Sequence, residues 1–234
     1  MTIKCISPID GSIYAERPTL SRSDADAAVT RAKIAQKNWN MHPIKERIEL
    51  VKAGVAAIGA MNAEIVPEIA WQMGRPIRYG GEFGGFNERA SYMADIAIDA
   101  LAPIEIENSN NFRRVIKRVP HGLVLVVAPW NYPFMTAINT IAPALIAGNA
   151  VMLKHASQTP LVGERLAKAF HSVGIPRDIF QNVFLDHDTT SALISDRAFD
   201  FINFTGSVSG GIAMEKAAAG TFTAIVGESA AIDN

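Results

Sequence analysis

Hydrophobic positions recur with the spacing of amphipathic helices over roughly the first hundred residues of the chain. An apolar stripe runs through residues 23–40, and Ser23 is its predicted N-cap. Residues 44–73 repeat the pattern, although we expect Pro67 to break or kink this second helix. A third helix is predicted over residues 86–101. The first part of the chain is therefore expected to be a helical region.

Residues 103–120 have a different pattern, in which two short runs with alternating apolar and charged positions flank a polar turn. The turn at 108–111 consists of asparagines and a serine, residue types that favour tight turns. We therefore predict a β-hairpin. Its charged side chains suit an exposed ribbon, or one that meets a partner, rather than a central strand.

Beyond Gly122, apolar runs of strand length alternate with runs of helix length. This alternation predicts an α/β fold with an open, parallel, Rossmann-like sheet and helices on both faces. The N-terminal helical region and a protruding hairpin complete the predicted architecture. Strands are expected at 123–127, 151–153, 183–185, 201–204 and 222–226, and helices at 136–147, 161–173, 189–195 and 207–219.

Composition and charge exclude several classes of protein. Of the 234 residues, 49% are hydrophobic and 19% are charged, and the net charge of −1 leaves no basic surface for nucleic acid or an anionic membrane. Residues 122–153 carry no charge, but their prolines and asparagines favour a buried unit over a membrane span. The single cysteine, Cys5, has neither a disulfide partner nor the neighbours of a metal site. The first residues lack a secretory signal, so we expect a cytoplasmic location.

Four motifs lie where predicted strands end, which is the edge at which open parallel sheets bind ligands. The sequence PWNYP at 129–133 presents Asn131, whose amide is a neutral donor that can stabilise a developing oxyanion. It can equally be a turn residue between two prolines. The sequence KHASQTP at 154–160 offers Lys154 and Ser157 to a ribose or a phosphate, with a solvated loop as the alternative.

The other two motifs are weaker when each is taken alone. Gly206 and Ser207 follow the fourth predicted strand, where the N-terminus of the next helix can receive an anion. Gly210 and Gly211 can instead serve close packing between helix and sheet. Glu228 follows the last predicted strand, where a carboxylate can act as a general base or lie exposed on the surface.

Taken together, these motifs resemble those of the aldehyde dehydrogenase superfamily, and the resemblance extends over the chain up to Glu228. The lysine loop at 154–160 is similar to that of semialdehyde-oxidising members. The matching segments are MGRP at 73–76, GLV at 122–124, PWNYP at 129–133, Lys154 with Thr-Pro at 159–160, NFTGS at 203–207, and Glu228.

The resemblance implies NAD(P)-dependent oxidation of an aldehyde, with a semialdehyde as one option, to a carboxylic acid. Asn131 would be the oxyanion-hole amide, Trp130 would lie along the nicotinamide path, and Glu228 would activate water for deacylation. The implied cofactor contacts are Lys154 and Ser157 for the adenosine ribose, and Gly206 and Ser207 for the pyrophosphate.

One departure from the family pattern concerns the choice of cofactor. Many members carry a glutamate where this chain has Ser157, and that glutamate would bind the ribose 2′-hydroxyl and repel a 2′-phosphate. Ser157 removes the repulsion, and Lys154 could pair with the phosphate. The resemblance therefore predicts that NADP is accepted, alongside NAD or in preference to it.

A second departure follows Glu228. The family continues with Leu-Gly-Gly, whereas residues 229–234 read SAAIDN, an aberrant tail. The loss of one cytosine after the glutamate codon would produce residues 229–232 of this tail. The family's nucleophilic cysteine is expected further on, in a catalytic domain absent here, and Cys5 matches no family position. We therefore expect residues 1–228 to form the NAD(P)-binding domain, including 103–120 as an oligomerisation-type hairpin, and the chain to be inactive on its own.

Two alternatives stay open. The chain could be a non-catalytic dinucleotide-binding module, or a fragment that associates with full-length relatives. The family is homo-oligomeric and acts on small-molecule aldehydes, so the expected partners are an aldehyde and further subunits, without nucleic acid or membrane.

Overall fold

A computed structural model describes residues 1–109 and 111–229 of the chain. Within these ranges lie three sheets: an antiparallel pair near the N-terminus, a second antiparallel pair, and a parallel sheet of five strands. The elements are β1 (Thr2–Ile6), β2 (Ile13–Pro18), α1 (Arg22–Met41), α2 (Ile44–Ala60), α3 (Asn62–Met73), α4 (Phe83–Leu101), β3 (Ile104–Ser109), β4 (Phe112–Ile116), β5 (Leu123–Ala128), α5 (Pro133–Ile146), β6 (Ala150–His155), α6 (Pro160–Ser172), β7 (Phe180–Asn182), α7 (His187–Ser195), β8 (Phe201–Gly206), α8 (Val208–Ala218) and β9 (Ala224–Ser229).

The five-stranded sheet has the order β7-β6-β5-β8-β9, and each neighbouring pair is parallel. In β5, the four consecutive residues 123–126 are at most 2% exposed. Successive side chains of a strand point to opposite faces, so both faces of the sheet must be covered. The predicted open, Rossmann-like sheet with helices on both faces is confirmed.

The helices before the sheet begin and break at other residues than predicted. Ser21, not Ser23, caps α1, and its hydroxyl accepts the amide hydrogen of Asp24 at 3.1 Å. The second predicted helix breaks at Met61, where α2 and α3 are bent by 71°. Pro67 lies only in the second turn of α3, so its ring removes one hydrogen bond near the start and the helix continues past it.

The core joins the helical region to the sheet. Trp39, Phe86 and Phe170 are among its largest fully buried side chains, and the indole N–H of Trp39 donates to the carbonyl of Leu145 in α5 at 2.9 Å. Residues of α2 and α3 belong to the same core. In the described ranges, no single helix is long and apolar enough to cross a membrane, and α2 and α3 reach that length and composition only together, as a bent pair.

The edge strand beside β6 is Phe180–Asn182, so the strand predicted at 183–185 is wrong. Val183 donates one last hydrogen bond to the carbonyl of Leu153 at 2.9 Å, after which the chain leaves the sheet. Residues 183–185 have the apolar pattern of a strand, but this pattern reflects the burial of Val183 and Leu185, at 5% and 3% exposure, and not strand pairing.

β3 and β4 form the predicted hairpin, with Ile104 opposite Ile116 in antiparallel register. Ile104, Phe112 and Ile116 are 46%, 66% and 52% exposed, which agrees with a protruding hairpin. The predicted turn at 108–111 includes Asn110, which lies outside the described residues, as do residues 230–234 of the predicted tail. The domain extent of 1–228 and the aberrant tail stay predictions.

Candidate functional site

A cavity of about 520 Å³ opens at the carboxyl ends of β5, β6 and β8. Parallel strands end at one edge of a sheet, so the segments that follow them surround a common space. Of the seven site residues predicted from the sequence, only Glu228 is missing from the part of this wall that the structure describes. The other six line it: Trp130, Asn131, Lys154, Ser157, Gly206 and Ser207.

Asn131 belongs to the turn at 129–133 between β5 and α5, which we call the oxyanion turn. Its Oδ1 accepts a hydrogen bond from the amide of Tyr132 at 2.9 Å, so Nδ2 must point away from that amide. Among the residues described here, none accepts a hydrogen bond from Nδ2. A neutral N–H donor is therefore left at the cavity wall for a ligand oxygen, as an oxyanion-stabilising role requires.

The oxyanion turn is held on one side by a buried glutamate, Glu82. Helix α5 begins with a proline and has no side-chain cap of its own; Glu82 supplies an acceptor, taking the amide hydrogen of Met135 at 2.8 Å. Glu82 also pairs with Arg75 at 2.8 Å, and the Arg75 guanidinium lies 5.2 Å from the ring centre of Tyr132. Burial raises the pKa of Glu82, although Met135 and Arg75 act in the opposite direction.

On its other side the turn is tied to the lysine loop by His155, the last residue of β6. Burial lowers the pKa of His155 to about 4, so the imidazole is neutral near neutral pH. A neutral ring has one donor and one acceptor. Both are used: Nε2 donates to the carbonyl of Pro133 at 3.2 Å, and Nδ1 accepts from the hydroxyl of Thr159 at 3.1 Å.

Sequence reasoning singled out neither Glu82 nor His155. A faint signal exists for the glutamate, because a helix that starts at Pro133 without a capping side chain must find its acceptor elsewhere. Only the fold shows that this acceptor lies 53 residues before its partner in the chain. His155 stands within a motif that had been recognised, but its burial depends on packing that the motif does not encode.

Lys154 lines the cavity from the end of β6, and burial lowers its pKa, while the carboxylate of Asp186 acts against that shift. Asp186 is the N-cap of α7, where its Oδ1 accepts the amide hydrogen of Thr189 at 2.7 Å. This hydrogen bond also lowers the pKa of Asp186, so its carboxylate is ionised near neutral pH. The predicted ribose contact thus has an acid close by.

The junction between β8 and α8 combines a cavity wall with tight packing. Ser207 caps α8, and its hydroxyl accepts the amide hydrogen of Gly210 at 3.2 Å. A Cβ added to Gly206 or Gly210 would lie 2.7 or 2.8 Å from the Phe204 ring, closer than two carbons can approach. Gly210 therefore serves helix–sheet packing, as the alternative from the sequence held, and it lines the cavity as well.

Glu228 is placed elsewhere than predicted. Phe222 has a left-handed backbone, with φ of 59°, so the last strand begins only at Ala224 and runs to Ser229. Glu228 consequently lies within β9, paired in register with Thr205, and its side chain is exposed. Its proposed work as a general base stays a prediction.

Cys5 is fully buried, and its thiol donates to the carbonyl of Gln158 at 3.0 Å. Burial raises the pKa of Cys5, which favours the unreactive protonated thiol. The cavity wall, as far as the structure describes it, contains no cysteine.

The sequence profile of the Aldehyde dehydrogenase family matches residues 1–232. The chain belongs to the aldehyde dehydrogenase family. It is similar to the N-succinylglutamate 5-semialdehyde dehydrogenase of Sphingopyxis alaskensis, with 32% identity over 85% of this chain and 41% of that protein. It is also similar to the D-glyceraldehyde dehydrogenase (NADP(+)) of Picrophilus torridus, with 30% identity over 92% of this chain and 44% of that protein.

The fold agrees with this membership of the aldehyde dehydrogenase family. The NADP-dependent glyceraldehyde-3-phosphate dehydrogenase of Bacillus halodurans, solved in complex with NADP, aligns with a TM-score of 0.91 at 28% identity, over 100% of this chain and 50% of that one. The family resemblance read from the motifs is confirmed. The chain spans about half the length of the relatives it matches.

Proposed function

We propose that this chain is the dinucleotide-binding part of an aldehyde dehydrogenase and that its cavity holds NADP or NAD. The Picrophilus torridus and Bacillus halodurans relatives are both named for NADP, which supports the proposal. The observation that carries it is the convergence on one cavity of Trp130, Asn131, Lys154, Ser157, Gly206 and Ser207.

The residues of the cavity fit a dinucleotide. Its volume of about 520 Å³ is in the usual range for small-molecule sites. Lys154 supplies a cation for the ribose end, and Ser157 adds no negative charge against a 2′-phosphate. Gly206 and Ser207 bring the N-terminus of α8 to the wall, where backbone N–H groups can receive the pyrophosphate.

NADP or NAD, held by Lys154, Ser157, Gly206 and Ser207, would supply a hydride acceptor. The chain itself would orient and stabilise: Trp130 would lie along the nicotinamide path, and Asn131 would offer Nδ2 to an oxyanion. Glu228 would activate water for deacylation. The sequence holds one cysteine, and Cys5 is buried away from the cavity, so these residues offer no thiolate to attack an aldehyde. We therefore propose that the chain binds the cofactor without oxidising an aldehyde on its own.

The proposed substrate class of the whole enzyme is a small aldehyde, with a semialdehyde favoured. The lysine loop at 154–160 supports this choice, as does the similarity to a semialdehyde dehydrogenase. A cytoplasmic location is part of the same proposal, because a reducing compartment keeps Cys5 a free thiol.

Isothermal titration calorimetry of the purified chain tests cofactor binding. NADP and NAD should each bind saturably at one site per chain, and Lys154→Met should weaken NADP more than NAD, because the lysine is proposed to pair with the 2′-phosphate. Lys168→Met, an exposed lysine of α6, is the matched control. Adding semialdehydes to the chain with NADP should form no reduced cofactor.

Each part of this proposal can fail separately. Absence of binding for both nucleotides would overturn the assignment of the cavity. NAD binding more than about tenfold tighter than NADP would contradict the interpretation of Ser157. Aldehyde-dependent formation of reduced cofactor would contradict the claim of inactivity.

A second proposed function rests on the hairpin of β3 and β4. Its apolar side chains are exposed, Ile106 at 41% and Phe112 at 66% among them, which is typical of a surface that meets another protein. We propose that the chain associates through this hairpin with a second copy of itself or with a full-length relative.

A further inference from the structure

The charges around the cavity are few and of both signs. Within the described ranges, Asp186 is the one carboxylate of the wall and Lys154 its one permanent side-chain cation. The other titratable side chains of the wall are His155, which burial keeps neutral, and His187. Met1 also lines the wall, and its α-amino group acts on the Asp186 carboxylate. An anionic dinucleotide therefore meets a wall on which the lysine and the N-terminal amino group face a single acid.

The order of the strands places that acid at the ribose end of the cavity. β7 lies next to β6, so the segment that leaves β7 and reaches Asp186 runs beside the loop that carries Lys154 and Ser157. Asn131 follows β5, on the opposite side of β6. Asp186 thus lies on the side of Lys154 that is remote from the oxyanion turn.

Asp186 is also fixed in place by its work in the fold. Its Oδ1 caps α7 through the Thr189 amide at 2.7 Å, and its own carbonyl accepts the hydroxyl hydrogen of Thr190 at 2.6 Å. A capping side chain stays with the helix end that it satisfies. The carboxylate is therefore a standing charge on the same cavity wall as Lys154, and the burial of the lysine strengthens their attraction.

We propose that Asp186 is a specificity-determining residue that limits the preference of this cavity for NADP. Its carboxylate competes with the 2′-phosphate for the Lys154 ammonium and repels that phosphate, so it cancels part of the gain from Ser157. NAD carries a neutral 2′-hydroxyl at this point, which an acid does not repel. The inference rests on the proposed function, because it takes the ribose to lie at Lys154 and Ser157.

Asp186→Asn tests the inference, with Asp188→Asn as the matched control. Asparagine caps a helix as well as aspartate does, so α7 keeps its start while the charge is removed. Asp188 lies in the first turn of the same helix, is exposed, and is not among the described wall residues. The Kd values of NADP and NAD are measured by calorimetry for the three proteins at one salt concentration, after equal thermal unfolding midpoints have shown that all are folded.

Asp186→Asn is expected to tighten NADP binding about tenfold while changing NAD binding by less than about threefold. Asp188→Asn is expected to leave the ratio of the two Kd values unchanged. An equal shift for both nucleotides, an unchanged ratio in Asp186→Asn, or the same change of ratio in Asp188→Asn overturns the inference. If the wild-type chain binds neither nucleotide, the proposed function itself is overturned, and the inference with it.

Discussion

His155 and Glu82 hold the oxyanion turn from two sides, and burial disfavours the charged form of each. The pKa of His155 falls from its ordinary 6.5 to about 4, and the pKa of Glu82 rises from its ordinary 4.5. These shifts give the two residues opposite effects on the pH dependence of stability. The folded state disfavours protonation of His155, whereas it disfavours deprotonation of Glu82.

The direction of each effect follows from which state binds the proton more tightly. His155 binds its proton more tightly in the unfolded chain. Its neutral ring therefore contributes fully to the free energy of unfolding above about pH 6.5, and this free energy falls by about 3 kcal/mol as the pH falls to about 4. Glu82 binds its proton more tightly in the folded protein, so the free energy of unfolding decreases as the pH rises from 4.5 through the raised pKa.

We therefore expect His155→Gln to flatten the acid side of the stability curve and Glu82→Gln to steepen it. Urea unfolding between about pH 4 and about pH 7 measures both slopes. Glu88→Gln, an exposed carboxylate of α4, controls for the loss of a negative charge. A His155→Gln protein that keeps the wild-type slope would contradict a neutral, buried imidazole.

The residues that would contact ligands can be predicted from this sequence, whereas the residues that hold them in place cannot. Asn131 and Lys154 stand in motifs at strand ends, a position that the topology of parallel sheets makes available to ligands. Glu82 acts on α5 from 53 residues away, and no local pattern indicates that contact. The sequence predicts Glu228 just after the last strand, whereas it lies within β9, because the left-handed backbone at Phe222 moves the start of that strand to Ala224.

At the scale of elements, the close packing of the β8–α8 junction leads to a prediction about stability. Gly206→Ala is expected to lower the free energy of unfolding by about 1–3 kcal/mol, because the new methyl would meet the Phe204 ring at 2.7 Å. Gly210 packs against the same ring, which limits how far it can turn. NADP should also bind more weakly, since the junction lines the cavity.

Thermal unfolding and the Kd of NADP are the two measurements for this variant. Gly227→Ala in β9 is the control, because an added Cβ there meets nothing within 4 Å. An unchanged unfolding midpoint for Gly206→Ala would show that the Phe204 ring yields and that the junction is less tightly packed than its distances indicate.

Element types follow from periodicity here, but element boundaries follow from tertiary contacts. Residues 183–185 mimic a strand because Val183 and Leu185 are buried, although pairing with β6 is made by the preceding residues. The sequence predicts the break at Pro67 instead of Met61, because its pattern does not show that a new helix starts at Asn62, shortly before the proline. Hydrophobic pattern alone cannot separate burial from hydrogen-bonded pairing.

At the scale of the whole molecule, the hairpin predicts self-association. The exposed apolar side chains of Phe112 and Ile116 should promote dimers or larger oligomers, and the double substitution Phe112→Ser with Ile116→Ser should reduce them. Light scattering coupled to size exclusion measures the mass. Ile34→Ser, which removes an equally exposed isoleucine of α1, is the control, and a monomeric wild-type chain would contradict the prediction.

The architecture as a whole is predictable where it rests on alternation. Parallel strands need a crossover connection, so strands that alternate with helices indicate a parallel sheet without any knowledge of contacts. The antiparallel β1–β2 pair cannot be predicted from this alternation. It is tied to the lysine loop by the contact between Cys5 and Gln158, which are 153 residues apart in the chain.

The strand order has a consequence for the making of the protein. β5 lies between β6 and β8, and β8 begins about 70 residues after β5 ends. At a synthesis rate of about 5–20 residues per second, a ribosome delivers β8 roughly 4–14 s after β5. During that interval one edge of β5, a strand buried in the finished sheet, has no neighbour, so the uncharged stretch around it is exposed to aggregation and to chaperones. The central strand of the finished sheet is thus made early and completed late.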